Sequence, residues 1–136
     1  MPVTTVAMAW AGDGLEFTGG GASRPQLLLD GNGGAAPSPV QALLLALVAC
    51  TGSDVVEITK KMRVPLASLE ATVEGDRNED HPRRFNRIHV VYRVTGVDDA
   101  DRDKVRRALE LSTERYCSVR HSLRTDLDYS ASIEFA

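Results

Sequence analysis

A chain of 136 residues has room for one ordinary domain and reads as a single domain spanning 1–136. With 43% hydrophobic and 26% charged residues, it is expected to fold around a core rather than remain disordered. Sixteen basic residues against 19 acidic ones, a formal net charge of −3, leave no broad cationic surface for a phosphate backbone, so no nucleic-acid partner is expected.

The start, Met1 to Met8, lacks the basic stretch and apolar run of a secretory leader, and export is not expected. The most apolar run, Ala42 to Val48, is far shorter than the ~20 residues needed to cross a bilayer, which predicts a buried core helix and no membrane partner. Two cysteines are too few for a disulfide-stapled secreted scaffold. They suit reactive or structural thiols in a reducing, cytoplasmic setting.

In chain order, Val3 to Trp10 and Gly14 to Thr18 are short β-type runs around Ala11-Gly12-Asp13-Gly14, which predicts an N-terminal hairpin. Gln26 to Asp30 is a third strand before the loop Gly31-Asn32-Gly33-Gly34, which lacks the lysine and hydroxyl residue of a phosphate-binding loop. Ser38 as cap and Pro39 in the first turn open a long helix to about Met62, apolar nearly all round in its first half and amphipathic after Asp54. Pro65 stops it. Leu69 to Glu74 alternates as a half-buried strand, Gly75 to Arg84 is a charged loop, and Ile88 to Val94 is a strand with Ile88, Val90, Tyr92 and Val94 on one face. Asp98 or Asp99 is expected to cap a second helix, with Val105, Ala108, Leu109 and Leu111 inward and Arg102, Lys104, Arg106 and Arg107 toward water. A turn through Val119 and Leu123 leads to a last strand, Asp128 to Phe135, with Tyr129, Ala131, Ile133 and Phe135 on one face. This order predicts an α+β fold with antiparallel pairing rather than a parallel doubly wound sheet.

Cys50 lies within the apolar helix and Cys117 near the end of the second, and by position alone each suits a small buried hydrophobe as well as a nucleophile. His81, His89 and His121 do not stand at zinc-type spacing from either cysteine, so no metal or other cofactor is expected.

The segment from Gly33 to Thr51, a glycine and proline loop leading into a long helix with Cys50 after small residues, resembles the OsmC/Ohr superfamily. Later landmarks follow in order: His81-Pro82, Phe85, the strand Arg87 to Val90, Leu111-Ser112 and Tyr116-Cys117-Ser118-Val119. The resemblance runs from about Trp10 onward. It implies an OsmC-like fold, with an antiparallel sheet wrapped around a long central helix, in an intertwined homodimer with sites at the subunit interface. It further implies a peroxidatic cysteine at Cys50 and a resolving cysteine at Cys117, reducing organic hydroperoxides with an external dithiol or lipoylated protein as reductant.

A thiolate at Cys50 calls for a nearby cation, because helix-dipole help fades beyond the first turn. The Ohr-like members resembled here use an N-terminal arginine held by a glutamate at the start of the central helix. The matching position in this sequence is Gln41, a neutral amide that can hydrogen-bond an arginine but forms no ion pair. Arg24 is the nearest N-terminal candidate for the cation, and a solvated loop arginine is the plainer reading. Glu114 is a candidate polar neighbour of Cys117, or an ordinary surface glutamate, and Ser53 and Asp54 follow Cys50 by about one turn. Phe17, Leu43, Leu47, Met62 and Tyr116 are available to line an apolar substrate pocket, or to pack a core. The competing functional reading is a non-enzymatic redox sensor or small-molecule-binding dimer on the same fold; a third gives both cysteines purely structural roles.

Overall fold

The computed structural model describes residues 2–21 and 26–136. The chain, read from sequence as a single domain, groups into two compact units, one ending at Leu45 and one beginning at Ala46.

In the first unit, β1 (Ala7–Trp10), β2 (Glu16–Gly20) and β3 (Leu27–Asp30) form an antiparallel sheet in that order. The expected hairpin turns through Gly12 and Gly14, both in the left-handed region that glycine enters without Cβ strain. β1 starts at Ala7 rather than Val3, because its partner β2 ends at Gly20, opposite Ala7. The Gly31–Gly34 loop folds over the buried Asp30, whose carboxylate accepts the backbone N–H groups of Asn32, Gly34 and Ala35 at 2.9, 3.1 and 2.9 Å. These bonds, Ala35 foremost, hold the Asp30 carboxyl below its ordinary range. The loop's donors thus serve an internal carboxylate.

The helix α1 (Pro39–Lys61) begins with a reciprocal cap: Ser38 N–H donates to Gln41 Oε1 at 2.9 Å, and Gln41 N–H donates to Ser38 Oγ at 3.2 Å. At its other end Arg63 takes φ 62°, and Val64 N–H reaches back to Thr59 O, closing the helix before Pro65. The length of the apolar stretch, taken from the run Ala42 to Val48, needs correction. By length and composition the 23-residue helix is long and apolar enough to cross a membrane, since Ala, Gly and Thr around Cys50 extend the apolar stretch.

In the second unit, α1 turns Leu47, Thr51, Gly52, Val55 and Thr59 inward, a spacing that keeps one face on the core. A methyl at Gly52 would sit 3.5 Å from Leu69 Cδ2 and 3.7 Å from Tyr92 Cε1, ordinary contact distances. Gly52→Ala is therefore expected to stabilise the protein by about 0.5–1 kcal/mol through reduced backbone entropy, read as a higher urea midpoint at unchanged slope.

β4 (Ser68–Arg77) pairs antiparallel with the central β5 (Phe85–Thr95), and β6 (Asp128–Phe135) pairs parallel with β5. The expected all-antiparallel sheet is thus corrected at one pair. The long helical crossover between β5 and β6 returns the chain in the same direction, the connection that parallel pairing requires. β4 also runs further into the charged segment than expected, where Arg87 Nε donates to Asp76 Oδ2 at 2.8 Å across the pair. Ile88, Val90, Tyr92 and Val94 are buried together, as their alternation predicts.

The crossover opens with a 3₁₀ turn, Asp99–Asp101, and continues as α2 (Arg102–Leu111) with Val105, Ala108 and Leu109 buried. Neither Asp98 nor Asp101 makes a side-chain cap; Asp99 and Asp103 instead pair with Arg102 and Arg106. Those two arginines do not simply face water, for both guanidinium groups lie over the Phe135 ring, at 5.0 and 5.1 Å. A π-helical turn, Ser112–Tyr116, and the short α3 (Ser118–Ser122) complete the crossover.

Candidate active site

Cys50 stands on α1 and Cys117 at the junction of the π turn with α3. The π turn widens the helix by one residue, so Cys117 N–H donates to Ser112 O, five residues back, at 2.9 Å. Cys117 then leaves the helix in extended conformation and caps α3, its Sγ accepting the Arg120 N–H at 3.3 Å. Ser112 fixes this segment to α1 through its hydroxyl, which donates to Asp54 Oδ2 at 2.8 Å.

Both thiols are free; Cys50 is half-buried and Cys117 is 0% exposed. Burial pushes the Cys117 thiol above its ordinary range. The Thr51 side chain and the backbone N–H of Arg120 oppose that shift, and Cys50 adds to it. The Ser112–Asp54 hydrogen bond ties the segment that carries Cys117 to α1 about one turn beyond Cys50.

Two phenols close the site. Tyr92 on β5 is buried and its hydroxyl donates to Val48 O at 2.7 Å. Burial, reinforced by the charge of Tyr129, pushes its phenol well above the usual range, against the pull of Thr51. Tyr129 on β6 lies under the guanidinium of Arg120, 4.7 Å from its ring centre. Burial and then the charge of Cys117 push this phenol up, while Thr51, Arg120 and Thr113 draw it down. Thr51 Oγ1 acts on the proton affinity of Cys117, Tyr92 and Tyr129, and it is buried with no hydrogen-bond partner among the described residues. Tyr129 Oη and Arg120 Nε are likewise buried and unpartnered among the described residues.

The other expected residues fall differently. Arg24 lies outside the described residues. Gln41 Oε1 accepts Ser38 N–H in the helix cap. Glu114 is exposed on the π turn. Ser53 donates back to Ala49 O at 2.7 Å, as helix serines do when no other acceptor is near. Leu47, expected at an apolar pocket, is fully buried core. An open cavity of about 580 Å³ lies elsewhere in the second unit, lined by Val56, Lys60, Arg63, Pro65 and Leu69 among others, and by none of the five residues expected to line a pocket. His89 Nδ1 bonds Ser130 Oγ across the parallel pair at 2.6 Å.

Sequence reasoning missed Thr51, Tyr92, Tyr129, Arg120 and Ser112 as site residues. The usable signal was chemical: a tyrosine on an inward face brings a hydroxyl that needs a partner, and both Tyr92 and Tyr129 were on such faces.

The family described as OsmC-like protein matches residues 31–131. The chain is 41% identical over 123 residues to protein YhfA of Escherichia coli strain K12, covering 90% of this chain and 91% of that one. Its fold is similar to a hypothetical protein from Aquifex aeolicus VF5, with a TM-score of 0.86, 26% identity and coverage of 100% and 98% of the two chains. It is also similar in fold to an organic hydroperoxide resistance protein OsmC from Legionella pneumophila, with a TM-score of 0.67, 17% identity and 98% of each chain covered. These matches agree with the α+β arrangement of two small sheets and helices and with the landmarks from Gly33 to Thr51 and from Leu111 to Val119. The chain belongs to the OsmC-like protein family.

Proposed function

We propose that this protein is a cytoplasmic thiol peroxidase that reduces organic hydroperoxides through Cys50 and Cys117. One observation carries the reading: two free thiols far apart in sequence, one half-buried and one sealed, stand on segments that the Ser112–Asp54 hydrogen bond ties together. The accessible Cys50 thiolate attacks the distal oxygen of ROOH, leaving an alcohol and a sulfenic acid. The enclosed Cys117 then displaces hydroxide from that sulfur, forming the disulfide. An external dithiol or lipoylated protein reduces the bond by exchange.

The working unit in this proposal is a homodimer. The sheet of the first unit leaves Met8, Trp10 and Leu27 exposed at 69, 58 and 57%, and α1 exposes Leu43, Leu45 and Val56. Apolar surface of this extent on a small sheet calls for cover by another chain.

The test is incubation of the purified protein with cumene hydroperoxide and dihydrolipoamide. Expected are steady release of cumyl alcohol and, without reductant, a Cys50 to Cys117 disulfide by peptide mapping. Thiols that remain fully titratable after peroxide overturn the proposal. A disulfide without sustained turnover selects the redox-sensor reading, which the engagement of Gln41 in the helix cap favours.

A further inference from the structure

Ser112 holds the crossover in three directions. Its backbone N–H bonds back to Ala108 O and Leu109 O at the end of α2, and its carbonyl accepts Cys117 N–H at 2.9 Å across the π turn. Its hydroxyl donates to Asp54 Oδ2 of α1 at 2.8 Å, and the residue is 0% exposed. A helical serine with no better acceptor bonds its own preceding turn, as Ser53 does with Ala49 O. Ser112 instead commits its hydroxyl to a residue 58 positions away in sequence.

Asp54 lies four residues after Cys50, and residues at that spacing share a helix face. The face of α1 that meets the crossover at Asp54 is therefore the face that carries Cys50. Two hydrogen bonds from other elements bracket Cys50 along α1: Tyr92 of β5 donates to Val48 O at 2.7 Å, and Ser112 donates to Asp54. Beyond Cys117 the chain is held more lightly. α3 has only five residues, and its opening turn rests on Cys117 Sγ accepting Arg120 N–H and Cys117 O accepting His121 N–H. The place of Cys117 is thus set from its N-terminal side, through Ser112.

We infer that Ser112 and Asp54 are a positioning pair for the disulfide step: their bond holds the Cys117 segment against the Cys50 face of α1, so that Cys117 closes on an oxidised Cys50 with little further ordering. The inference rests on the reading of Cys50 and Cys117 as a redox pair and deepens it. In the step itself the S–S bond forms, the S–O bond of the Cys50 sulfenic acid breaks, and hydroxide leaves with the electron pair; thiol and sulfenic acid become disulfide and water. Without the Ser112 to Asp54 bond, the segment has to be ordered at the moment of closure. The rate of closure and the equilibrium favouring the disulfide then fall together.

The test oxidises reduced wild type, Ser112→Ala, Asp54→Ala and Asp54→Asn with diamide, which is itself reduced to the hydrazine, and follows the Cys50 to Cys117 disulfide by quenched mass analysis. The same proteins are then titrated in glutathione redox buffers. Ser112→Ala and Asp54→Ala are each expected to close roughly 10-fold more slowly. Their equilibrium moves toward the dithiol by roughly 10-fold, about 30 mV for a two-electron couple. Asp54→Asn keeps a carbonyl acceptor for the Ser112 hydroxyl and is expected to stay within about 3-fold of wild type. A bond that merely stabilised the fold would lower the urea midpoint and leave the glutathione equilibrium unmoved. If Ser112→Ala does not fold, the two Asp54 variants decide. Wild-type closure and equilibrium in Ser112→Ala or Asp54→Ala, or equal losses in Asp54→Asn and Asp54→Ala, overturn the positioning pair. A disulfide that forms in wild type with diamide but not with cumene hydroperoxide defeats the peroxidase reading alone, and none with either oxidant defeats both.

Discussion

Cys50→Ser is expected to lose hydroperoxide turnover by on the order of 1,000-fold or more, because the covalent intermediate has no other sulfur accessible enough to form on. Cys117 does not substitute for it: it is sealed from solvent and its thiol is held protonated, by burial above all. Cys117→Ser should behave differently. It releases about one equivalent of alcohol, accumulates a sulfenic acid at Cys50 that dimedone traps, and with further peroxide gains the oxygen of a sulfinic acid. Intact mass after stoichiometric peroxide separates the two variants. Equal loss of the first alcohol equivalent in both would contradict the assigned division of labour.

Tyr92→Phe is expected to lower neutral-pH stability by about 1–2 kcal/mol, since it removes the donor to Val48 O, and also to flatten the alkaline end of the stability profile. The sign follows from the direction of the shifts. The Tyr92, Tyr129 and Cys117 protons are all bound more tightly in the folded state than their ordinary values of 10.0, 10.0 and 9.0 imply. The native protein therefore holds more protons than the unfolded chain once pH passes about 9–10, and stability present in full below that window declines as pH climbs through it. Urea midpoints between pH 7 and pH 11 measure the slope. A slope in Tyr92→Phe identical to wild type would show that the buried phenol is not a source of it.

Much of the second unit was legible in the sequence because its periodicities are strong. Ile88, Val90, Tyr92 and Val94 alternate without a break, and the same four fill the core. The direction of β6 was not legible. Alternation fixes which face of a strand is buried but says nothing of whether its neighbour runs with or against it, and that was decided by the helical crossover. Cys50 and Cys117 stood out as candidates because cysteine is rare here and chemically distinctive. Thr51 and Tyr129 were not found, because a threonine in a helix and a tyrosine in a strand carry no pattern until folding leaves their hydroxyls enclosed and unmatched. The cap at Gln41 was legible but unread: the spacing Ser38-x-x-Gln41 is itself a capping motif, and the amide follows it.

The sulfur of Cys117 also terminates α3, accepting the amide of Arg120. Drawing that sulfur toward Cys50 in a disulfide withdraws the acceptor, and the opening turn of a five-residue helix has little else to hold it. In the proposed cycle the segment that displays Arg120 is therefore expected to loosen when the bond closes and to re-form when the bond is reduced, so that oxidation would register in the backbone as well as in the thiols.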